Sequence, residues 1–145
     1  MKALIQRVSS SQVEVDRRVV GQIDRGLLVF LGLEKKDREL DADKMINKVL
    51  SYRVFPDEYQ KMNHSLNDIQ GDILLVPQFT LAADTKNGTR AGFSTAMPPN
   101  EAENLYNYFV EKTRAFKLKT ECGIFGADMS VSLINDGPVT FLLEV

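Results

Sequence analysis

Apolar and polar residues alternate along much of this chain, and the interruptions divide it into short strands, two helices and one long polar loop. Residues 2–9 and 12–16 read as strands, with Val13 and Val15 alternating with polar neighbours. Asp16-Arg17-Arg18 reads as a turn into a short strand, Val19-Val20-Gly21-Gln22-Ile23, and Asp24-Arg25-Gly26 as a second turn. Leu27-Leu28-Val29-Phe30-Leu31-Gly32-Leu33 is apolar on both faces, which marks a buried central strand. Asp37 is placed to cap a helix running to about Arg53, with Ala42, Met45, Ile46, Val49 and Leu50 forming one apolar stripe. Residues 57–71 are polar and read as a loop with room for one short strand. Ile73-Leu74-Leu75-Val76 then reads as a further strand.

Residues 83–98 form a long polar loop, and loops of that length inside compact domains are often functional. Asn100 with Glu103 has the spacing of a capping box, opening a second helix whose stripe is Ala102, Leu105, Tyr106, Phe109 and Val110. The chain ends in two alternating runs, Met129-Val131-Leu133 and Val139-Phe141-Leu143-Val145, joined by Asn135-Asp136-Gly137-Pro138. Tight turns early in the chain favour antiparallel pairing. The expected fold class is α+β: a curled, barrel-like antiparallel sheet with two packed α-helices. No linker or internal repeat divides the 145 residues, so a single domain over residues 1–145 is expected.

Composition narrows the function classes. The net charge of −2 argues against a protein that coats nucleic acid through bulk electrostatics, but leaves room for a pocket that takes one RNA end. No apolar run approaches the ~20 residues that span a bilayer, and the N-terminal residues lack the pattern of a signal peptide. Cys122 is the sole cysteine, so no internal disulfide forms and a cytoplasmic location is expected. One histidine and one cysteine make no ordinary zinc site, and neither a metal nor a cofactor is called for.

Local chemistry leaves several segments open. Gly137-Pro138 is either a hairpin loop or a projection whose backbone carbonyls build part of a pocket. In Val76-Pro77-Gln78-Phe79-Thr80-Leu81, alternation places Phe79 on the core side and Gln78 and Thr80 opposite. A threonine nucleophile needs an activating base; His64 lies in a polar loop, and Thr80 reads better as a hydrogen-bonding group. Of the scattered cations Arg7, Lys35, Lys36, Lys86 and Arg90, the pair Lys86 and Arg90 share the long loop and are the better candidates for phosphate contacts. Arg7 sits in an apolar strand, where burial demands a carbonyl or carboxylate partner.

Taken together, several segments carry a resemblance over essentially the whole chain. They are Ala3-Leu4-Ile5-Gln6-Arg7-Val8, Gly26-Leu27-Leu28-Val29, Lys61-Met62-Asn63 with Ser65-Leu66, Gln78-Phe79-Thr80-Leu81-Ala82-Ala83-Asp84-Thr85, Phe93-Ser94, Pro98-Pro99 and Val131-Ser132-Leu133-Ile134-Asn135-Asp136-Gly137-Pro138-Val139-Thr140. In that order and spacing they resemble the D-aminoacyl-tRNA deacylase family. The resemblance implies a cytoplasmic homodimer that hydrolyses the ester between a D-amino acid, or mischarged glycine, and the 3′-terminal adenosine of tRNA, a proofreading activity. The implied partners are the tRNA acceptor end and a second copy of the chain, with neither membrane nor DNA.

The same resemblance implies a role for each matched residue. Gly137 and Pro138, joined by a cis peptide, would reach into the partner subunit's pocket and reject L-amino acids. Gln78, Phe79 and Thr80 would line that pocket beside the ester as its catalytic segment. Arg7 would hold the Gly-Pro carbonyls, and Met129 would lie near the adenine. One position departs from the family's Ser-Gln-x-Thr-Leu: here it is Pro77, which offers neither hydroxyl nor N–H to a substrate and reads as a supporting position. Two other readings stay open: a non-catalytic RNA-end binder of the same fold, for which Pro77 is the best argument, and a small-molecule hydrolase using Thr80.

Overall fold

The computed structural model describes all 145 residues. The two strands expected at the N-terminus are one, β1 (Lys2–Val15). Its first half pairs antiparallel with β3 (Gly26–Gly32) and its second half with β2 (Arg18–Ile23). Its other edge pairs antiparallel with β8 (Ser130–Glu144). Beyond β3 lies β6 (Asp72–Pro77) and then β7 (Thr120–Cys122), and both of these pairings are parallel. The sheet is therefore mixed rather than wholly antiparallel. The reason is in the connections: α1 (Glu39–Ser51) lies in the crossover between β3 and β6, and α3 (Pro99–Arg114) in that between β6 and β7. A helical crossover returns the chain in the same direction.

Alternation along the central strands gives the sheet two apolar faces. Leu27, Val29 and Leu31 of β3, with Ile73 and Leu75 of β6, join the helices in the main core. Leu28, Leu74 and Val76 point the other way and meet Val8, Val13 and Ile23 inside the curl. The second cluster draws on β1, β2, β3 and β6 at once, so the sheet bends round it as a nearly closed barrel. Both helical stripes expected from periodicity face the main core.

The helix starts differ from expectation. Asp37 does not cap α1; Arg38 occupies that position, and Asp41 accepts its backbone N–H at 3.0 Å. Asp37 is instead buried, accepting from the Met1 ammonium at 2.7 Å and from the Glu34 N–H at 2.7 Å. α3 opens on Pro99, with Asn100 and Glu103 inside it. Proline suits a first-turn position because the N–H there has no helical partner. The polar stretch 57–71 carries β5 (Met62–His64), which pairs with β4 (Phe55–Pro56), and a one-turn helix, α2 (Leu66–Ile69), capped by Ser65. No helix is long and apolar enough to cross a membrane.

The C-terminal pair of strands expected around residues 135–138 is also a single strand. Gln6 pairs with Thr140 and Val8 with Asn135, so Arg7 alone faces the four residues 136–139. Those four leave the ladder as a bulge from the exposed edge of β8.

Candidate active site

β6 ends at Pro77, where the Gln78 N–H bonds the Leu31 carbonyl at 2.8 Å and the chain tightens into a 3-10 turn, Phe79–Ala82. The turn ends the alternation that assigned Phe79 to the core, and Phe79 is 62% exposed. Thr80 is exposed, and its hydroxyl accepts from Gln78 Nε2 at 2.5 Å. Pro77, Gln78 and Phe79 line a cavity of about 480 Å³ together with Met129. Leu31, Leu33, Val76, Met97 and Phe125 supply much of its apolar wall.

The wall depends on a close approach at Gly123. A Cβ there would fall 2.7 Å from Met129 Sδ and 3.5 Å from Pro77 Cδ, so glycine lets the thioether pack against the end of β6. Pro77 fits for a related reason. β7 pairs with β6 only as far as Leu75 and Cys122, with the Gly123 N–H bonding the Leu75 carbonyl at 2.8 Å. An N–H at position 77 would next meet the Gly123 carbonyl. The buried Tyr106 hydroxyl occupies that place, donating to the Leu75 carbonyl at 2.9 Å and lying 3.3 Å from the Gly123 carbonyl. Burial pushes the Tyr106 phenol well above its ordinary range, so it stays a donor.

The bulge at 136–139 is held from within. Arg7 is 9% exposed, and donates through Nη1 to the Val54 carbonyl at 2.6 Å and through Nε to the Asp136 carbonyl at 2.8 Å. Asp136 Oδ2 lies 3.3 Å from the same Nε. The carbonyl that Arg7 grips is thus one residue ahead of the Gly-Pro pair, rather than a carbonyl of that pair. Asn135 closes the bulge: its Oδ1 accepts the Val139 N–H at 2.7 Å and its Nδ2 donates to Thr140 Oγ1 at 3.0 Å. The Gly137–Pro138 peptide is cis, and Gly137 has φ +146°. Gly137 and Pro138 are both exposed, and neither lines the cavity that holds Gln78 and Phe79.

No base is hydrogen-bonded to the Thr80 hydroxyl. His64 is exposed on β5 opposite Phe55, and Thr80's side-chain hydrogen bond is to Gln78. Cys122 is half-buried with Arg114 Nη2 3.8 Å from its sulfur, in a different hollow that Tyr106 and Glu111 also line. Sequence reasoning missed the turn carrying Phe125, Ala127 and Asp128, and the start of α3 with Pro99 and Ala102, all of which line the cavity. Gly123 and Gly126 flanking Ile124-Phe125 were the available signal for an exposed apolar turn.

Residues 4–144 match the family model described as D-Tyr-tRNA(Tyr) deacylase. The chain is 56% identical over 145 residues to a protein of Cellvibrio japonicus (strain Ueda107) named D-aminoacyl-tRNA deacylase, covering 100% of this chain and 99% of that one. It is 58% identical over 144 residues to a protein of the same name from Vibrio cholerae serotype O1 (strain M66-2), covering 99% of each. A solved structure described as c-Myc DNA Unwinding Element Binding Protein superposes with a TM-score of 0.94 at 41% identity, over 100% of this chain and 99% of that one. Another, described as a probable eukaryotic D-amino acid tRNA deacylase, has a TM-score of 0.89 at 16% identity over 99% and 98%, and shares the fold.

Proposed function

The chain belongs to the D-Tyr-tRNA(Tyr) deacylase family, its activity is of the D-aminoacyl-tRNA deacylase kind, and we propose that its active site is shared between the two subunits of a cytoplasmic homodimer. The cavity of one subunit takes the 3′-terminal adenosine and the ester, with Gln78, Phe79 and Met129 beside them. Gly137 and Pro138 of the other subunit close it. Their carbonyls face the α-carbon and accept from the ammonium of a D-residue or of glycine. An L side chain would point into those carbonyls, so selection works by exclusion, and mischarged glycyl-tRNA is admitted along with the D-aminoacyl forms.

Water is the nucleophile. Its oxygen bonds the ester carbonyl carbon, the carbon–oxygen bond to the ribose breaks, and the ribose oxygen takes a proton, giving free amino acid and tRNA. The first N–H groups of a helical turn have no partner within it, and those at Phe79 and Thr80 are placed to stabilise the oxyanion. Backbone groups and the RNA's own 2′-hydroxyl position the water. This reading is supported by the Thr80 hydroxyl having Gln78, and no base, as its hydrogen-bond partner. The shared site is supported by separation: the bulge is exposed on an edge strand, rigidly anchored, and absent from the cavity of its own chain.

Subunit mixing tests the shared site. Gly137→Ala and Phe79→Ala chains, each strongly impaired on D-tyrosyl-tRNA as a homodimer, regain activity when co-refolded, since each mixed dimer rebuilds one intact site. Random pairing returns about a quarter of wild-type activity; no recovery overturns the cross-subunit assignment. The substrate panel is D-tyrosyl-tRNA, L-tyrosyl-tRNA and free D-tyrosine esters. Loss of the D-aminoacyl-tRNA alone is expected, whereas hydrolysis of free esters would point to a small-molecule enzyme.

A further inference from the structure

Residues 84–92 follow directly on the 3-10 turn beside the cavity, yet none of them lines it. Asp84 and Gly92 exchange both backbone hydrogen bonds, at 2.8 and 2.9 Å. The Asp84 carboxylate accepts the Lys86 N–H at 3.0 Å. Below them the Thr95 hydroxyl donates to the Ala82 carbonyl, and the Lys35 N–H donates to the Thr95 carbonyl at 3.0 Å. The base of this hairpin is therefore fixed to the segment that follows β3 and to the 3-10 turn. Every residue from 84 to 95 is exposed, so the hairpin contributes nothing to core packing.

Its chemistry is uneven in a useful way. Lys86 and Arg90 are exposed and form no ion pair. The single acid of the hairpin, Asp84, is taken up by backbone. On a chain of net charge −2 this is a local excess of positive charge. At the exit of the hairpin the Phe93 ring meets the Phe79 ring, with centroids 5.1 Å apart and planes at 48°. Both rings stay largely in water, at 46% and 62% exposure, and Phe79 forms the rim of the cavity. Single-stranded nucleic acid is held sequence-independently by this combination, cations along the phosphates and aromatic faces under the bases.

Building on the deacylase reading, we infer that the hairpin of residues 84–92, with Phe93, is the docking surface for the single-stranded 3′ end of tRNA next to its terminal adenosine. Lys86 and Arg90 meet the phosphates, and the Phe79–Phe93 pair presents a face for a base entering the cavity. A pocket that ignores the amino-acid side chain gains little affinity from it, so binding must come from RNA common to all tRNAs.

The test is steady-state deacylation of D-tyrosyl-tRNA across a salt series, with D-tyrosyl-adenosine as the substrate lacking the strand. The Lys86→Ala/Arg90→Ala variant is expected to raise KM for the tRNA about five- to tenfold, with kcat within about twofold. The slope of log kcat/KM against log salt falls by about one to two. The loss on D-tyrosyl-adenosine is at least about threefold smaller. Phe93→Ala raises KM but keeps the salt slope, since it removes a stacking face and no charge. A charge-matched Lys44→Ala/Lys117→Ala variant, altered outside the hairpin, keeps both KM and slope. Equal losses on the two substrates, an unchanged slope in the first variant, or an equal slope change in the charge-matched one overturns the docking surface and leaves the deacylase reading standing. Wild-type protein inert on both substrates overturns the deacylase reading itself.

Discussion

The two exposed segments assigned to the active site are held in opposite ways. Residues 135–140 are pinned by side chains: a buried guanidinium reaches out to the Asp136 carbonyl, and Asn135 ties the bulge shut. Residues 78–80 are shaped by backbone, through the Leu31–Gln78 bond and the 3-10 turn, and their side chains are left facing the cavity and solvent. The first segment is an anchored part, whose failure should be felt through the whole fold. The second is a lining, whose failure should be felt only by substrate.

Arg7→Ala gives the largest separation between them. It removes donors from the Val54 and Asp136 carbonyls, and unfolding by urea should show a loss of about 2–4 kcal/mol with deacylation abolished. Arg7→Lys recovers only part, because one ammonium does not reproduce the fork that spans two carbonyls. Activity lost at unchanged stability would make Arg7 a substrate contact rather than an anchor.

Gly137→Ala comes next. A Cβ there would lie 2.6 Å from Val139 Cγ2 and 3.1 Å from Arg7 Nη2, at a φ that L-residues rarely adopt. The expected cost is about 1–3 kcal/mol, smaller than for Arg7 because the bulge is at the surface. The kinetic signature is a falling ratio of D- to L-tyrosyl-tRNA hydrolysis; a ratio that holds while stability falls would remove the bulge from chiral selection.

Phe79→Ala and Thr80→Ala test the other half. Both residues are exposed, so melting should shift by no more than about 0.5 kcal/mol. Phe79→Ala should lose most activity, and Thr80→Ala should stay within about tenfold of wild type. Removing a covalent nucleophile costs on the order of a million-fold, so a dead Thr80→Ala enzyme that still binds tRNA would restore a threonine mechanism.

This contrast also explains what the sequence made legible. Every residue of both helical stripes is buried, since a period of 3.6 is written locally and one face must meet the core. The family segments pointed to Gln78, Phe79, Gly137 and Arg7 by order and spacing, where local chemistry alone left them open. The parallel pairing of β3, β6 and β7 was within reach, because each crossover holds a helix, but the early tight turns carried the reading toward an antiparallel sheet. The Arg7 bulge was out of reach: which residues of β8 leave the ladder is set by register across 129 positions of sequence, not by any local pattern. Local alternation alone put Phe79 on the core side, against the pocket position that the resemblance implied, because alternation carries no information about where a strand stops and a 3-10 turn begins.

The smallest predicted effect lies away from both segments and calibrates them. Asp68 accepts hydrogen bonds from the Ser65 N–H and hydroxyl at the start of α2, and these hold its carboxyl below the ordinary 3.8. Asp57 is lowered likewise, first by the Lys61 N–H and then by the Asn63 side chain. A folded-state pKa below the unfolded one stabilises the protein above the unfolded value and is lost as pH falls through the folded value. Asp68→Asn should therefore be slightly less stable than wild type by a constant margin from pH 7 down to about 5, and the two should converge below 3.8. Deacylation at neutral pH should be unaffected, because α2 seats Leu66 in the main core and supplies no residue to the cavity lining. If Asp68→Asn instead lowered deacylation as much as Gly137→Ala, loss of activity would track general loosening of the fold. The distinction between an anchored bulge and a substrate lining would then have no kinetic meaning.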